Sequence, residues 1–243
     1  VRLTKSGRFD YVVIADSDLG VGAESLAEYR AGTGVKARVV YVDEIDTFFN
    51  GGVSGPHGIR KFVDWAARYW HTRYVVLAGD ACHDYKGNLK DESGNGLCDN
   101  LVSTLLVPTP YGLFACDSCL GDTDGDGSTP AEVHVARIPA TNNSELEAYL
   151  SKLMQFEASP PTDQRVLLIA DTYDPQAGNF KADSDDLADL LEAEAPGVEV
   201  EKLYLDDTPV ATARTTLLNR PGDKGPFNNY LGHGSGTSLS KSD

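Results

Sequence analysis

Tyr11-Val12-Val13-Ile14-Ala15 runs straight into Asp16-Ser17-Asp18, and the pattern returns at Tyr74-Val75-Val76-Leu77-Ala78 followed by Gly79-Asp80. Both runs are apolar on consecutive residues rather than alternate ones. Strands read this way when both faces of a sheet are covered, the condition of a parallel sheet with helices on each side. Ala37 to Val42 fits the same description. Helical segments lie between these runs, the clearest opening at Pro56, with Ile59, Phe62, Val63, Ala66, Ala67 and Trp70 at helical spacing. Alternating strands and helices predict an α/β fold.

The stretch from Cys82 to Pro130 breaks this order. It is rich in Gly, Asp, Asn and Cys, and a loop so long inside a domain is usually functional. The alternation then resumes. A strand is expected over Glu132 to Ala136, then a helix opened by a capping box at Ser144 to Glu147, with Leu146, Tyr149, Leu150, Leu153 and Met154 facing inward. Ala158-Ser159-Pro160-Pro161-Thr162 reads as a linker. Beyond it come a strand at Val166 to Ala170, a helix from about Ser184 to Glu194, a strand at Val198 to Tyr204, a helix entered through Thr208-Pro209, and a strand at Phe227 to Leu231. The reading is therefore of two side-by-side parallel-sheet subdomains, 1–158 with the insertion 82–130 and 163–243, the second incomplete. The parent polypeptide is expected to continue past Asp243, which is either a processing site or merely where this sequence stops.

Composition narrows the function. The 243 residues carry a net charge of −16, which opposes the basic patch that nucleic acid requires. It suits solubility, calcium binding or attraction of basic substrates. No run approaches the about 18 apolar residues of a membrane span. Val1 is not an initiator Met and no signal-peptide pattern follows, so any targeting segment is expected to be removed or left out. Cys82, Cys98, Cys116 and Cys119 read as two disulfides of a secreted protein, with a four-thiolate zinc site as the alternative.

Ligands of parallel sheets bind beyond the carboxyl ends of the strands. Those ends carry Asp16-Ser17-Asp18, Gly79-Asp80-Ala81-Cys82-His83-Asp84, Asp171-Thr172-Tyr173-Asp174 and Gly232-His233-Gly234-Ser235-Gly236. Between two glycines, His233 has bare backbone on either side. A neutral imidazole there could accept a proton from a thiol or hydroxyl, and the Gly234 N–H could face an oxyanion.

Asp122-Thr123-Asp124-Gly125-Asp126-Gly127 offers carboxylates from Asp122, Asp124 and Asp126 at alternate positions, with a glycine at the turn. This is the spacing of a calcium loop, although Val133 stands where a bidentate Glu is usual and Glu132 falls one residue early. Asp91-Glu92-Ser93-Gly94-Asn95-Gly96 with Asp99 is a weaker echo.

Four strings in order resemble the gingipain family of caspase-like cysteine peptidases: DYVVIADSDLGVGAESLAEYRAGTGVKARVVYV, GPHGIRKFVDWAARYWHTRYVVLAGDACHDYKGN, AEVHVARIPATNNSELEAYLSKLMQFE and NYLGHGSG. The resemblance implies a caspase-like fold and a secreted or cell-surface endopeptidase acting on protein or peptide substrates. It makes His233 the general base, Gly234 an oxyanion donor and Gly232 part of the substrate site. It implies Asp84 as the acid that orients His233, with Asp80 as the alternative. Asp117 becomes the floor of a pocket for a basic P1 side chain, though the flanking cysteines depart from the family's residues. Structural calcium is implied as well. The family's nucleophile is a cysteine after the next core strand, and no cysteine follows Cys119. It is expected beyond residue 243, which leaves this chain inactive alone, or on a second chain from the same precursor. The competing expectation is a non-catalytic, calcium-binding adhesion or secretion module on the same scaffold.

Overall fold

The computed structural model describes residues 3, 4, 6–110, 112–127, 131–159, 164–219, 227–234 and 238–240. Pro160 to Thr162 of the expected linker, Ser235 and Gly236, and Asp243 lie outside the described residues. The chain divides into two units, Val1–Gln155 and Phe156–Asp243.

In the first unit β1 (Tyr11–Ala15) leads through α1 (Gly20–Gly32) to β2 (Ala37–Tyr41). Helices α2 (Val42–Phe49) and α3 (Pro56–Trp70) return the chain to β3 (Tyr74–Ala78). A hairpin, β4 (Leu106–Thr109) and β5 (Gly112–Ala115), precedes β6 (His134–Ile138) and α4 (Asn143–Ala158). The main sheet is parallel, in the order β2-β1-β3-β6. Successive strand residues point to opposite faces, and both faces are buried. Val12, Ile14, Val75 and Leu77 pack with Phe62, Val63 and Trp70 of α3. Val13, Ala15, Val76 and Ala78 pack with Leu26 of α1 and with Leu146 and Leu150 of α4. This two-sided burial is why the strands carry no polar alternation.

The second unit repeats the plan. β7 (Arg165–Ala170), α5 (Phe180–Glu194), β8 (Glu199–Tyr204), α6 (Val210–Leu218) and β9 (Phe227–Leu231) form a parallel sheet in the order β8-β7-β9. Leu167 and Ile169 face Ala213 and Leu217 of α6, while Leu168 and Ala170 face Ala188 and Leu191 of α5. The α/β reading of the sequence holds in both units. In each, the chain passes from its first strand to a neighbour on one side and then to a neighbour on the other. Such a switch opens a crevice at the carboxyl ends of the two strands it separates.

Local corrections have local causes. The α4 cap is two residues earlier than expected: Asn142 Oδ1 accepts the Glu145 N–H, and Glu145 Oε2 accepts the Thr141 N–H. Tyr149 and Met154 of this helix are exposed rather than inward. Helix α5 starts at Phe180, not Ser184, because Asn179 Oδ1 caps Ala182 N–H. β6 begins two residues late, since the Val133 N–H is engaged by the carbonyl of Gly121. The insertion is better anchored than its composition suggests. Val102, Leu105 and Leu120 are buried in the first unit's core, and disulfides join Cys82 to Cys98 and Cys116 to Cys119. With all four thiols paired, no four-thiolate zinc site forms.

Candidate active site at the carboxyl ends of β7 and β9

Ala170 and Leu231 are register partners at the ends of β7 and β9, and the Asp171 N–H extends the ladder to the carbonyl of Leu231. Asp171, one residue past β7, is 1% exposed and gathers the turn after β9 around its carboxylate. Its Oδ1 accepts from the Ser240 hydroxyl at 2.8 Å and the Thr172 N–H at 2.8 Å. Its Oδ2 accepts the His233 N–H at 3.2 Å. Burial alone would raise its pKa, but these bonds and the nearby imidazole outweigh that and hold it below the usual carboxylate range. The Tyr230 hydroxyl donates to the His233 carbonyl at 2.7 Å and lies 3.4 Å from Asp171 Oδ2. Burial, with the charge of Asp171, pushes the Tyr230 phenol up to about 12. Ser240 closes the turn by donating its N–H to the His233 carbonyl at 2.7 Å.

The backbone of His233 is thus fixed on both its N–H and its carbonyl. Gly232 is required by space, because a Cβ there would overlap Asp171 Cβ and the Tyr230 ring and hydroxyl. The His233 side chain is 28% exposed, with Nε2 3.1 Å from Asp174 Oδ2. Phe180 meets the imidazole edge-on, with centroids 5.4 Å apart at 85°. Among the described residues, neither His233 Nδ1 nor the Gly234 N–H makes a hydrogen bond.

Other candidates fall in the first unit. Asp84 Oδ2 accepts the Leu89 N–H at 2.6 Å, and the Asp84 carbonyl accepts the Gly87 N–H. These bonds close a surface turn, and the N–H groups of Leu89 first and Asn88 after it lower the Asp84 pKa. Within the second unit, the carboxylate that meets the His233 ring is that of Asp174. Asp80, the alternative, caps its own turn by accepting the Ala81 N–H.

Asp117 is engaged within the first unit. Both its oxygens are held at 2.8 Å by Arg137, whose Nη1 also donates to the carbonyls of Gly79 and Val102. Thr104 adds a third bond, at 2.7 Å. Burial would raise the Asp117 pKa, but Arg137 and Thr104 bring it down. Paired bidentately with Arg137, Asp117 ties the insertion to the sheet.

Asp122, Asp124 and Asp126 each bring an oxygen within 4.8 Å of the others. Gly125 and Gly127, with φ of 77° and 71°, make the curl possible. Glu132 reaches the loop by accepting the Thr123 N–H. This donor set of hard oxygens suits calcium. Asp91 instead turns Oδ1 onto the N–H groups of Ser93 and Asn95, closing its own turn.

The model of peptidase family C25, the gingipain family, matches residues 4–243. The chain belongs to that family. Its fold is similar to two solved structures. One is the dimeric latent PorU of Porphyromonas gingivalis, at 18% identity and TM-score 0.51, covering 61% of this chain and 15% of that one. The other is described as a protease, at 16% identity and TM-score 0.55, covering 98% of this chain and 47% of that one. The chain therefore spans less than half the length of either. No curated protein sequence matches it.

In this C25 chain all four cysteines of the sequence are in disulfides, so the chain holds no free thiol. Sequence reading placed Asp171 and Asp174 at a strand end but gave neither a role. The available signal was their position at the switch point, on the strand beside the one that carries His233. Among the described residues no helix is long and apolar enough to cross a membrane.

Proposed function

We propose that this chain contributes the general base of a secreted or cell-surface cysteine endopeptidase whose nucleophilic cysteine is supplied by polypeptide outside these 243 residues. The observation that carries the reading is His233. Its backbone is fixed by Asp171, Tyr230 and Ser240, and its ring stands at the strand-switch crevice of a C25 chain. His233 accepts the thiol proton as the thiolate attacks the scissile carbonyl. The oxyanion that forms lies against the Gly234 N–H and the nucleophile's own N–H. His233 then returns the proton to the leaving amine as the C–N bond breaks, and water releases the acyl group. The two disulfides support an oxidising, extracellular setting.

A basic P1 side chain is part of the proposal on the family resemblance and the net charge of −16; Asp117, the residue the resemblance offers for it, is paired with Arg137. Calcium enters as a structural ion held by Asp122, Asp124 and Asp126, where it would neutralise carboxylates that otherwise repel one another. The acidic cluster of Asp122, Asp124 and Asp126 supports a second reading, a non-catalytic calcium-binding module on the same scaffold. One experiment separates the two: peptide cleavage by the complete polypeptide that contains this chain, with and without His233→Ala. The peptidase reading expects cleavage that is blocked by iodoacetamide and lost in the variant. Cleavage unchanged by His233→Ala, or no cleavage at all, would overturn it.

A further inference from the structure

We infer that the outer edge of β2 is a docking site for an extended, basic segment of a partner polypeptide, which adds to the first unit's sheet as a further strand beside Glu24 and Glu28. The inference stands apart from the reading of His233. Among the described residues β2 ends its sheet, with β1 as its one strand neighbour. The Tyr11 N–H donates to the Lys36 carbonyl, and Tyr11 is in register with Ala37. In a parallel pair this register turns the N–H and C=O groups of Arg38 and Val40 toward β1 and those of Ala37 and Val39 outward. An edge of this kind is a template for another strand unless something guards it. Arg38, the one charged residue of β2, does not: its guanidinium lies 4.7 Å from the centre of the Trp70 ring and 5.1 Å from that of Phe9.

A cavity of about 380 Å³ opens beside this edge, between α1 and β2. Ala27 and Ala31 of α1 and Ala37 and Val39 of β2 line it, and their small side chains leave room for an incoming strand. Glu24 and Glu28 of α1 and Glu44 of α2 line it too, the first two of them exposed. The Tyr41 hydroxyl donates to Glu24 Oε1 at 3.2 Å and holds that carboxylate at the edge. Four residues of helix rise about 6 Å, and two residues of strand rise about 6.6 Å. Lys or Arg at alternate positions of the added strand therefore meets Glu24 and Glu28 in turn, while its backbone bonds to Ala37 and Val39. Backbone bonding supplies the affinity, and the carboxylates select the sequence. The same charges oppose pairing of two β2 edges from two copies of a chain whose net charge is −16.

The probe is a fluorescein-labelled peptide, Lys-Thr-Lys-Val-Lys-Thr-Lys, titrated into the chain at low salt and followed by anisotropy. Saturable binding is expected, about tenfold or more tighter than for the counterpart with Glu in place of every Lys, and weakening as salt rises. Glu24→Gln with Glu28→Gln should weaken it by about three- to tenfold, the range of two exposed charge pairs. Val39→Pro removes an outward N–H and leaves the bonds to β1 in place, so it should weaken binding by about tenfold or more. Amide exchange of the wild-type chain decides the matter should Val39→Pro fail to fold. Saturating peptide should slow exchange at Ala37 and Val39 by about tenfold or more, and leave Arg38 and Val40, already bonded to β1, within about twofold. No saturable binding, equal binding of the acidic peptide, or unchanged exchange at Ala37 and Val39 would each overturn the inference. So would full affinity in the double Gln variant or in folded Val39→Pro. A dimer of the chain in sedimentation, abolished by Val39→Pro, would overturn it as well, by giving the edge to a second copy.

Discussion

Replacing Asp171 by Asn isolates what one buried carboxylate contributes to the second unit. The change is nearly isosteric, so no cavity term intrudes. An amide has one acceptor where the carboxylate has two, and both orientations fail. With Nδ2 in place of Oδ2, a donor faces the His233 N–H; with Nδ2 in place of Oδ1, it faces the Thr172 N–H. Either way one charge-assisted bond is lost and one buried N–H loses its partner. Bonds to charged groups are worth about 1.5–3 kcal/mol, and an orphaned buried donor costs about 1–3 kcal/mol. Because these overlap, the expected loss is about 3 kcal/mol.

The readout has to belong to the second unit. Both tryptophans, Trp65 and Trp70, lie in α3 of the first unit, so tryptophan emission follows that unit and serves as the control. Amide exchange of peptides over β7 and β9 follows the second, and a loss of about 3 kcal/mol should speed their slowest exchange by roughly a hundredfold. The pH dependence has a fixed sign. The folded pKa of Asp171 is depressed, so its contribution is full above the unfolded value near 3.8 and is lost as pH falls through the folded one. The gap between wild type and variant should therefore narrow below about pH 4. Exchange within threefold of wild type at pH 7 would refute the view of Asp171 as the hub of the His233 turn.

Two further outcomes are expected in the first unit. Arg137→Met leaves the half-buried Asp117 carboxylate without its cation and the carbonyls of Gly79 and Val102 without a donor; a loss of about 3–5 kcal/mol is expected by urea unfolding followed through tryptophan emission. Arg137→Lys should recover only part of it, because an ammonium cannot bridge both oxygens as the guanidinium does. Calcium at about a hundredfold over its Kd should stabilise the chain by about 2.7 kcal/mol in thermal melts, EGTA should reverse this, and Asp124→Asn with Asp126→Asn should abolish it. A melt indifferent to calcium removes the ion from the proposal.

What the sequence disclosed, and what it hid, divides by range. β1 and β3 have the bounds their composition implies, because two-sided burial writes itself into consecutive residues; β9 also has its expected bounds, although none of its residues is buried. β2 ends one residue early since Val42 opens α2 with Asp43 and Glu44 in the first turn and no intervening loop. The β4–β5 hairpin escaped notice because its strands bury no residue, so no apolar periodicity marks them, and Pro108 argues against a strand. His233 was legible from its two glycines. Its partner was not, because Asp174 lies 59 residues away and only the parallel pairing of β7 with β9 brings the two together.

The two units carry the same strand plan and use it differently. In the first, the turn after β3 is closed by the insertion: the Asp80 carbonyl accepts the N–H groups of both Leu101 and Val102, while the Gly79 and Asp80 N–H groups bond to Ile138 and Ala140. A side chain on Gly79 would collide with Val102 and Leu101. That edge is thus filled by backbone and apolar packing, and its aspartate only caps a turn. In the second unit, the corresponding edge at β7 and β9 is filled by a carboxylate, a phenol and a serine hydroxyl, all aimed at the main chain of one histidine. Apolar packing would hold the turn as well and would avoid burying a charge. A buried, fully bonded carboxylate adds directional restraint on the His233 backbone, which apolar packing does not supply. Fixing an imidazole to within a hydrogen bond's tolerance is what proton transfer requires of a base, and this difference between two otherwise matching edges is what supports the proposed role of His233.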